Sequence, residues 1–361
     1  DINYSSMLSL QKYGAFTSFS RTFISNRLNL SAGMRLDGNS FSDDTRNPLE
    51  QLSPRFSLAY SITPRLAFNF NSGIYYQLPP YTVLGYNEGG QFVNRNNNIS
   101  YIRNKQLVAG FEYNTNFSSK ISIESYFKDY DNYPFLLREQ ISLANLGGDF
   151  GVIGNEPAQS TGQGRAYGLE MLFQQRLYKG YYGITSVTIG RSEFTNGEGE
   201  YLPSSWDARY IANLTIGKRF KRNWELGVKW RFQSGLPTTP SDPKSNLVQS
   251  WDRNLRAIPD FSRINTTRTA DFGFIDARLD KKWFFKSWDI NLYLDIQNIT
   301  SSSVPGTQLI LDRPLDDNGR PIGGGVIDNP GAPVDQQRYK LKSIDNATGQ
   351  LLPIIGLVIS I

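Results

Sequence analysis

The chain has 361 residues, contains neither cysteine nor histidine, and carries a formal charge of only +5. That composition leaves no disulfide framework and no thiolate metal site. Its Lys and Arg residues are spread among Asp and Glu instead of forming blocks, so nucleic acid is not an expected partner. Hydrophobic residues make up 39% and the mean hydropathy is −0.43, with no apolar run near the roughly 20 residues of a membrane helix; helical membrane proteins are excluded and strand-built ones are not.

No segment reads as a linker between separate cores, so one extended architecture is expected. The opening residues, 1–4, show no basic stretch leading into an apolar run, so no secretion signal is present. The chain is expected to start after such a signal or partway through a longer protein. A less regular strand candidate spans 12–23, and the clearest alternation follows at 28–37. There Leu28, Leu30, Ala32, Met34 and Leu36 oppose Asn29, Ser31, Gly33, Arg35 and Asp37. A period of two is the signature of a strand with one apolar face.

The same pattern recurs down the chain. Phe56, Leu58 and Tyr60 oppose Arg55, Ser57 and Ala59; Leu66, Phe68 and Phe70 oppose Ala67, Asn69 and Asn71; Leu107, Phe111 and Tyr113 oppose Gln106, Glu112 and Asn114. Ile121, Ile123 and Phe127 oppose Ser122, Glu124 and Lys128, and Leu169, Met171 and Phe173 oppose Gly168, Glu170 and Gln174. After an irregular stretch at 181–193, Tyr210, Ala212 and Leu214 oppose Arg209, Asn213 and Thr215, and Trp224, Leu226, Val228 and Trp230 oppose Glu225, Gly227, Lys229 and Arg231. Ile275, Ala277 and Leu279 then oppose Asp276, Arg278 and Asp280. Ile290, Leu292 and Leu294 alternate with polar residues, and Ile355, Leu357, Ile359 and Ile361 close the series. About thirteen strands of about 9 to 14 residues are expected, lengths suited to a tilted membrane crossing.

Connections carry a second signal. Short turns near 24–26, 63–64, 116–119, 178–180, 219–223 and 284–287 alternate with long segments near 38–51, 77–103, 131–163, 194–204, 236–267 and 301–350. A membrane barrel has tight turns at its periplasmic end and long loops outside, whereas a soluble sandwich has shorter strands and no such asymmetry. Trp283, Phe284, Phe285 and Trp288 flank one tight turn and Phe220 and Trp224 another, as an interfacial aromatic girdle requires. The expected fold class is therefore all-β, a transmembrane antiparallel β-barrel. Single-chain bacterial barrels close on an even strand number. A thirteen-strand run is thus expected to be part of a larger barrel, with the other strands on a separate polypeptide segment.

Several segments resemble the TonB-dependent receptors, particularly those of Bacteroidota. They are Leu30–Asp37 (LSAGMRLD), Ser53–Tyr60 (SPRFSLAY), Tyr75–Tyr81 (YYQLPPY), Tyr126–Pro134 (YFKDYDNYP) and Gly164–Leu172 (GRAYGLEML). Farther on come Ser205–Leu214 (SWDARYIANL), Phe232–Pro240 (FQSGLPTTP) and Ile275–Phe284 (IDARLDKKWF). The resemblance implies the carboxy-terminal portion of a 22-stranded barrel, roughly strands ten to twenty-two. The amino-terminal plug, the first strands and the TonB-contacting part would lie outside this chain. One departure is Ile361, where that family usually ends in an aromatic residue.

The charges on the polar face, Arg35, Asp37, Arg55, Glu112, Glu124, Lys128, Glu170, Arg209, Lys229, Arg231, Asp276, Arg278 and Asp280, would cost several kcal/mol each in a dry interior, so they must meet water or a polar partner. The resemblance makes that partner the plug. It implies an outer-membrane transporter, bathed in outer-membrane lipid, that imports a scarce nutrient such as a siderophore, glycan or peptide by way of TonB. A SusD-like surface lipoprotein is a possible lid. Tyr76, Tyr81, Tyr86, Tyr133, Phe135 and Trp251, placed in outer loops, are candidates to stack on substrate, with loop packing as the alternative.

Two other classes compete. A barrel protease or phospholipase usually needs a histidine base, so catalysis is not expected and no catalytic residue is assigned. A receptor-like barrel serving as a structural subunit of a larger complex differs in that uptake would survive loss of the TonB-contacting segment. No cofactor or metal is expected. The Gly162–Gly168 run has the wrong spacing for a dinucleotide fingerprint, and Asp316–Gly319 and Asp345–Gly349 read as turns before they read as calcium loops.

Overall fold

The computed structural model describes residues 5–361 apart from 117, 149–151, 153, 319, 321 and 346–348. Thirteen strands follow one another in a single antiparallel meander, each hydrogen-bonded to its neighbours in sequence. They are β1 (Lys12–Phe23), β2 (Leu28–Asn39), β3 (Ser53–Ser61), β4 (Leu66–Gln77), β5 (Ile102–Asn114), β6 (Ser119–Leu136) and β7 (Ala158–Tyr178). The series continues with β8 (Tyr181–Thr195), β9 (Tyr210–Arg219), β10 (Trp224–Gln233), β11 (Phe272–Phe284), β12 (Asp289–Gln297) and β13 (Leu352–Ser360). Among the described residues the sheet is open, β1 pairing only with β2 and β13 only with β12.

Register decides what this sheet presents, because a one-residue slip would exchange its faces. Leu30 pairs with Leu58, Leu58 with Phe70 and Phe70 with Ala109; the row through Phe68, Phe111, Ile123, Met171 and Val187 is equally apolar. Leu214 pairs with Trp230, Trp230 with Ile275, Leu279 with Leu294 and Leu294 with Ile355. One face thus stays apolar from β2 to β13, yet its large side chains, among them Phe56, Phe111, Ile123, Phe173, Leu292 and Leu357, are exposed. A water-borne sandwich buries such a face; among the described residues nothing covers these side chains.

The two ends of the sheet differ. At one end the connections span only 24–27, 62–65, 115–118, 179–180, 220–223 and 285–288. Lys179 and Gly180 take φ of 50° and 84°, the left-handed pair that a two-residue hairpin requires. Exposed Tyr178, Tyr181, Phe220, Trp224, Trp283 and Phe284 cluster at this end, with Phe285 stacked on Trp288 at 4.3 Å and 15°.

At the other end lie the long connections, and three strands overrun their expected lengths: β6 has 18 residues, β7 has 21 and β8 has 15. The segment expected as a loop over 131–163 is thus partly strand. Asn132 absorbs an extra residue at φ 59°, and the β6–β7 register shifts at Gly162, so pairing continues where alternation fails. Within 301–350 a hairpin of Thr307–Leu311 and Leu341–Asp345 also went unforeseen. A small conventional core of Phe41, Val83, Leu84, Ile99, Leu136, Leu143 and Ala158 packs among these connections.

Candidate functional site

The polar face is continuous in the same way. Gly33 pairs with Arg55, Ala67 with Glu112, Glu124 with Glu170, Asn213 with Arg231, Lys229 with Asp276, Arg278 with Asp295 and Asp280 with Tyr293. Arg35 and Asp37 lie on this face of β2, and Lys128 on this face of β6. Arg209 precedes β9, its carbonyl accepting from Gly190 N at 3.1 Å.

Many of these charges are held by neighbours on the face itself. Arg35 grips Asp37 with two bonds of 2.7 Å, and Arg278 grips Asp280 with two of 2.9 Å while lying 3.8 Å from the Tyr293 ring centroid. Asn291 also donates to Asp280 at 2.9 Å, and Lys120 meets Glu112 at 2.6 Å. Arg55 lies over the Tyr75 ring at 4.5 Å, Arg231 donates to Gln233 at 3.3 Å, and Asp276 accepts from Asn298 N at 2.8 Å. Glu124 and Glu170 are different: two carboxylates sit directly opposite each other, and no cation among the described residues forms an ion pair with either. Like charges in that register repel, so this part of the face requires water or a cationic partner.

Tyrosine rings fill gaps left by glycine on this face. The Tyr293 ring occupies the space beside Gly356, Tyr182 that beside Gly217, and the Tyr126 hydroxyl reaches Gly168 and Gly190; in each case a methyl on the glycine would overlap the ring or hydroxyl. Two of these rings also anchor charge, since Tyr182 donates to Glu225 at 2.5 Å and Tyr293 underlies Arg278.

The six aromatic candidates for substrate contact fare unequally. Tyr76 belongs to β4, not to a loop, and pairs with Arg103 on the apolar side. Tyr133 and Phe135 belong to the extended end of β6, where Tyr133 packs on Phe194 at 4.6 Å between ring centroids and Phe135 is buried. Tyr86 is 3% exposed and Trp251, on the helix Val248–Asn254, is 5% exposed. Burial raises the Tyr86 phenol above its ordinary value, its bond to Glu88 adding to the shift. Only Tyr81 presents a ring at 52% exposure, with Lys12 Nζ 5.0 Å from its centroid. Of the others, Tyr86, Phe135 and Trp251 are buried, while Tyr76 and Tyr133 are half-buried on their strands.

Sequence reasoning missed the long-loop end's main organiser. Asp207 has a fully buried carboxylate that meets Arg191 at 3.2 Å, accepts from Ser192 N at 2.7 Å and binds Arg268. Arg268 also donates to the Asp207 carbonyl at 2.6 Å and to that of Gly235 at 2.9 Å. Asn265 bridges the carbonyls of Asn145 and Pro203, both at 2.8 Å. Beside this knot lies a cleft of about 710 Å³, lined by Thr238, Thr239, Arg256, Thr267, Arg268, Thr307 and Gln308. Clustered hydroxyls and guanidinium groups give it donors for an oxygen-rich ligand.

Asp316 accepts from Asn318 N at 3.0 Å and from Arg320 N at 2.7 Å, the geometry of a turn, while Gly319 and residues 346–348 of the two calcium-loop candidates lie outside the described residues. The Gly162–Gly168 run lies within β7.

A family model described as "TonB dependent receptor-like, beta-barrel" matches residues 2–299. No curated protein sequence matches the chain. Among solved structures, the FrpB iron transporter from Neisseria meningitidis superposes with a TM-score of 0.56 at 15% identity, over 81% of this chain and 41% of its own. The ferric citrate transporter FecA in unliganded form gives 0.59 at 12% identity, over 97% and 45%. The pyoverdine receptor FpvA from Pseudomonas aeruginosa gives 0.58 at 11% identity, over 82% and 39%. At these identities the likeness is one of fold, and the chain spans less than half the length of each of these structures.

Proposed function

The chain belongs to the TonB-dependent receptor-like β-barrel family, and from that premise we propose that it forms part of the wall and outer loops of an outer-membrane receptor that imports a scarce nutrient. The observation that carries this reading is the register: from β2 to β13 the middle of each strand keeps exposed apolar side chains on one side and polar or charged ones on the other. The first side meets hydrocarbon and the second a wet lumen. Proteins that this fold resembles include iron, ferric citrate and pyoverdine receptors or transporters, which supports uptake in preference to catalysis.

In this reading the chain is the carboxy-terminal portion of a 22-stranded barrel of the Bacteroidota type. A plug and the remaining strands occupy the open side of the sheet. The plug docks on the polar face, where Glu124, Glu170, Arg209 and Lys229 offer it charge, and TonB pulls on the plug with energy from the inner membrane. Substrate binds among the loops, and the hydroxyl-lined cleft beside Arg256 favours an oxygen-rich ligand such as a glycan or a carboxylate-bearing siderophore. A SusD-like lipoprotein would close over the same end.

Growth of a deletion strain on defined iron, glycan and peptide sources tests the reading. A nutrient-specific growth defect restored by the full gene, together with uptake of that nutrient that a proton uncoupler abolishes, is the expected result. Normal growth on every source would overturn it.

A further inference from the structure

The connections that join β10 to β11 and β12 to β13 each fold into a short antiparallel ribbon, Pro237–Thr238 with Thr267–Arg268 and Thr307–Leu311 with Leu341–Asp345. The cleft of about 710 Å³ lies between these ribbons, so each supplies one wall. Elsewhere the two connections are bolted together. Arg338 donates to the Pro243 carbonyl at 2.9 Å and to Asn246 Oδ1 at 2.7 Å, Tyr339 N donates to the Asn246 carbonyl at 2.7 Å, and the Tyr339 hydroxyl reaches Asp252 at 3.1 Å. Val248 N completes the seam on the Gln337 carbonyl at 3.0 Å. The walls are thus tied to each other before any ligand arrives, which spares binding the cost of ordering them.

Donors dominate the lining. Thr239 Oγ1 accepts from Asn265 N at 3.1 Å and Thr269 Oγ1 from Leu236 N at 3.0 Å, so each hydroxyl keeps its own proton to give. Arg256 is exposed and, among the described residues, forms an ion pair with no carboxylate. Arg268 is not available in the same way, because the Asp207 carboxylate and the carbonyls of Asp207 and Gly235 already take it. Thr238 and Thr267 are spent on each other, hydroxyl to hydroxyl at 2.8 Å. Among the described residues that line the cleft there is no Asp or Glu and no aromatic ring.

That composition selects among ligands. A catechol or a neutral sugar ring gains affinity by laying its flat or apolar face on an aromatic side chain, which this lining does not offer. An anion gains it from charge-assisted bonds, roughly twice as strong as neutral ones, and meets no lining acid to repel it. Thr307, Gln308 and Ser343 on one wall and Thr239, Ser241 and Thr269 on the other suit the hydroxyls of a ligand lying along the cleft. The volume admits roughly two or three sugar units, more than a single small acid would fill.

We propose that the cleft binds an acidic glycan segment, seating a uronate carboxylate on Arg256 while ring hydroxyls bond to the threonines and Gln308. The inference rests on the receptor reading and narrows it from any oxygen-rich ligand to a sugar that carries negative charge at neutral pH. Arg338 is a positioning residue: it does not line the cleft but ties the connection forming one wall to the connection forming the other.

The test uses the full-length receptor that contains this chain, purified in detergent and titrated calorimetrically with trigalacturonate, its methyl ester and citrate. Wild-type protein is expected to bind the acid roughly tenfold more tightly than the ester, with an affinity that falls as salt rises, and to bind citrate more weakly than the trisaccharide. Arg256→Ala is expected to bring acid and ester to the same weak affinity. Arg338→Ala is expected to weaken both several-fold and leave their ratio intact, each variant still migrating as a heat-modifiable barrel. Equal affinity of wild-type protein for acid and ester, no detectable binding of either, or tighter binding of citrate would overturn the site, and none of these requires a variant. So would a preference for the acid that survives in Arg256→Ala, while unchanged affinity in Arg338→Ala would overturn the positioning role. A receptor that binds the trisaccharide yet imports no nutrient would instead overturn the import reading.

Discussion

The ring of Tyr293 fills the space beside Gly356, its direct partner on the last strand, and carries the Arg278 guanidinium above it. Glycine is needed there because any Cβ would enter the ring. Gly356→Ala is therefore expected to expel Tyr293 and destabilise the assembled receptor by about 1–3 kcal/mol, the usual range for overpacking. The temperature at which the folded band converts to the unfolded one on a detergent gel reports this. The Tyr293→Ala change, added to Gly356→Ala, should restore part of the loss. If the single variant converts at the wild-type temperature, the ring is not locked in place.

Neighbouring residues on β3 test the two faces against each other. Leu58 lies between Leu30 and Phe70 on the apolar side, and Ser57 between Ser31 and Asn71 on the polar side. Leu58→Arg is expected to cost about 2–4 kcal/mol in a bilayer, and Ser57→Arg far less. Urea titration of receptor refolded into lipid vesicles measures both. Equal costs would mean that the faces have been misassigned.

Asp207 should behave as a clamp on the outer loops. Replacing it with Ala leaves the Arg191 and Arg268 guanidiniums without their shared carboxylate, a loss of about 3–5 kcal/mol where the carboxylate is buried. Because these contacts lie among loops, the expected result is rapid proteolysis within 198–209 and 256–271 while the heat-modifiable barrel persists. Resistance equal to wild type would show that the loops hold without the clamp.

Ligand recognition is expected to separate from loop packing. Arg256→Ala, at the rim of the hydroxyl-lined cleft, should reduce uptake several-fold with normal amounts of receptor in the membrane. Trp251→Ala removes a buried ring and should lower the receptor's abundance by an amount reflecting about 3–5 kcal/mol. Radiolabelled nutrient uptake alongside membrane immunoblots distinguishes the two. Unchanged uptake by the Arg256 variant would remove the cleft from the substrate path.

Strand positions and faces could be read from the chain because most membrane strands leave a period-two record: Arg231 and Asp276 fall on the polar side and Trp230 and Ile275 on the apolar side, as their alternation requires, whereas β1 sets Arg21 opposite Leu30 and Phe16 opposite Arg35 and is correspondingly less regular. Where the strands leave the bilayer that record fades. Tyr130, Tyr133 and Phe135 follow no period, since both faces of β6 there meet protein or water, and a bulge at Asn132 changes the phase. Burial of Tyr86 and Trp251 depends on which distant segments fold over them. Asp207 and Arg268 lie 61 positions apart with nothing in their surroundings to announce the contact. Local pattern therefore locates the wall and says little about its crown.

The small core of Phe41, Leu84, Ile99, Leu136 and Leu143 has one further consequence. Cohesion in the wall comes from backbone pairing within lipid, but this cluster is held by the aversion of apolar groups to water. The molecule thus answers to two solvents. Urea or cooling would loosen the crown while leaving the wall standing, so recognition could fail reversibly in a receptor that remains fully inserted.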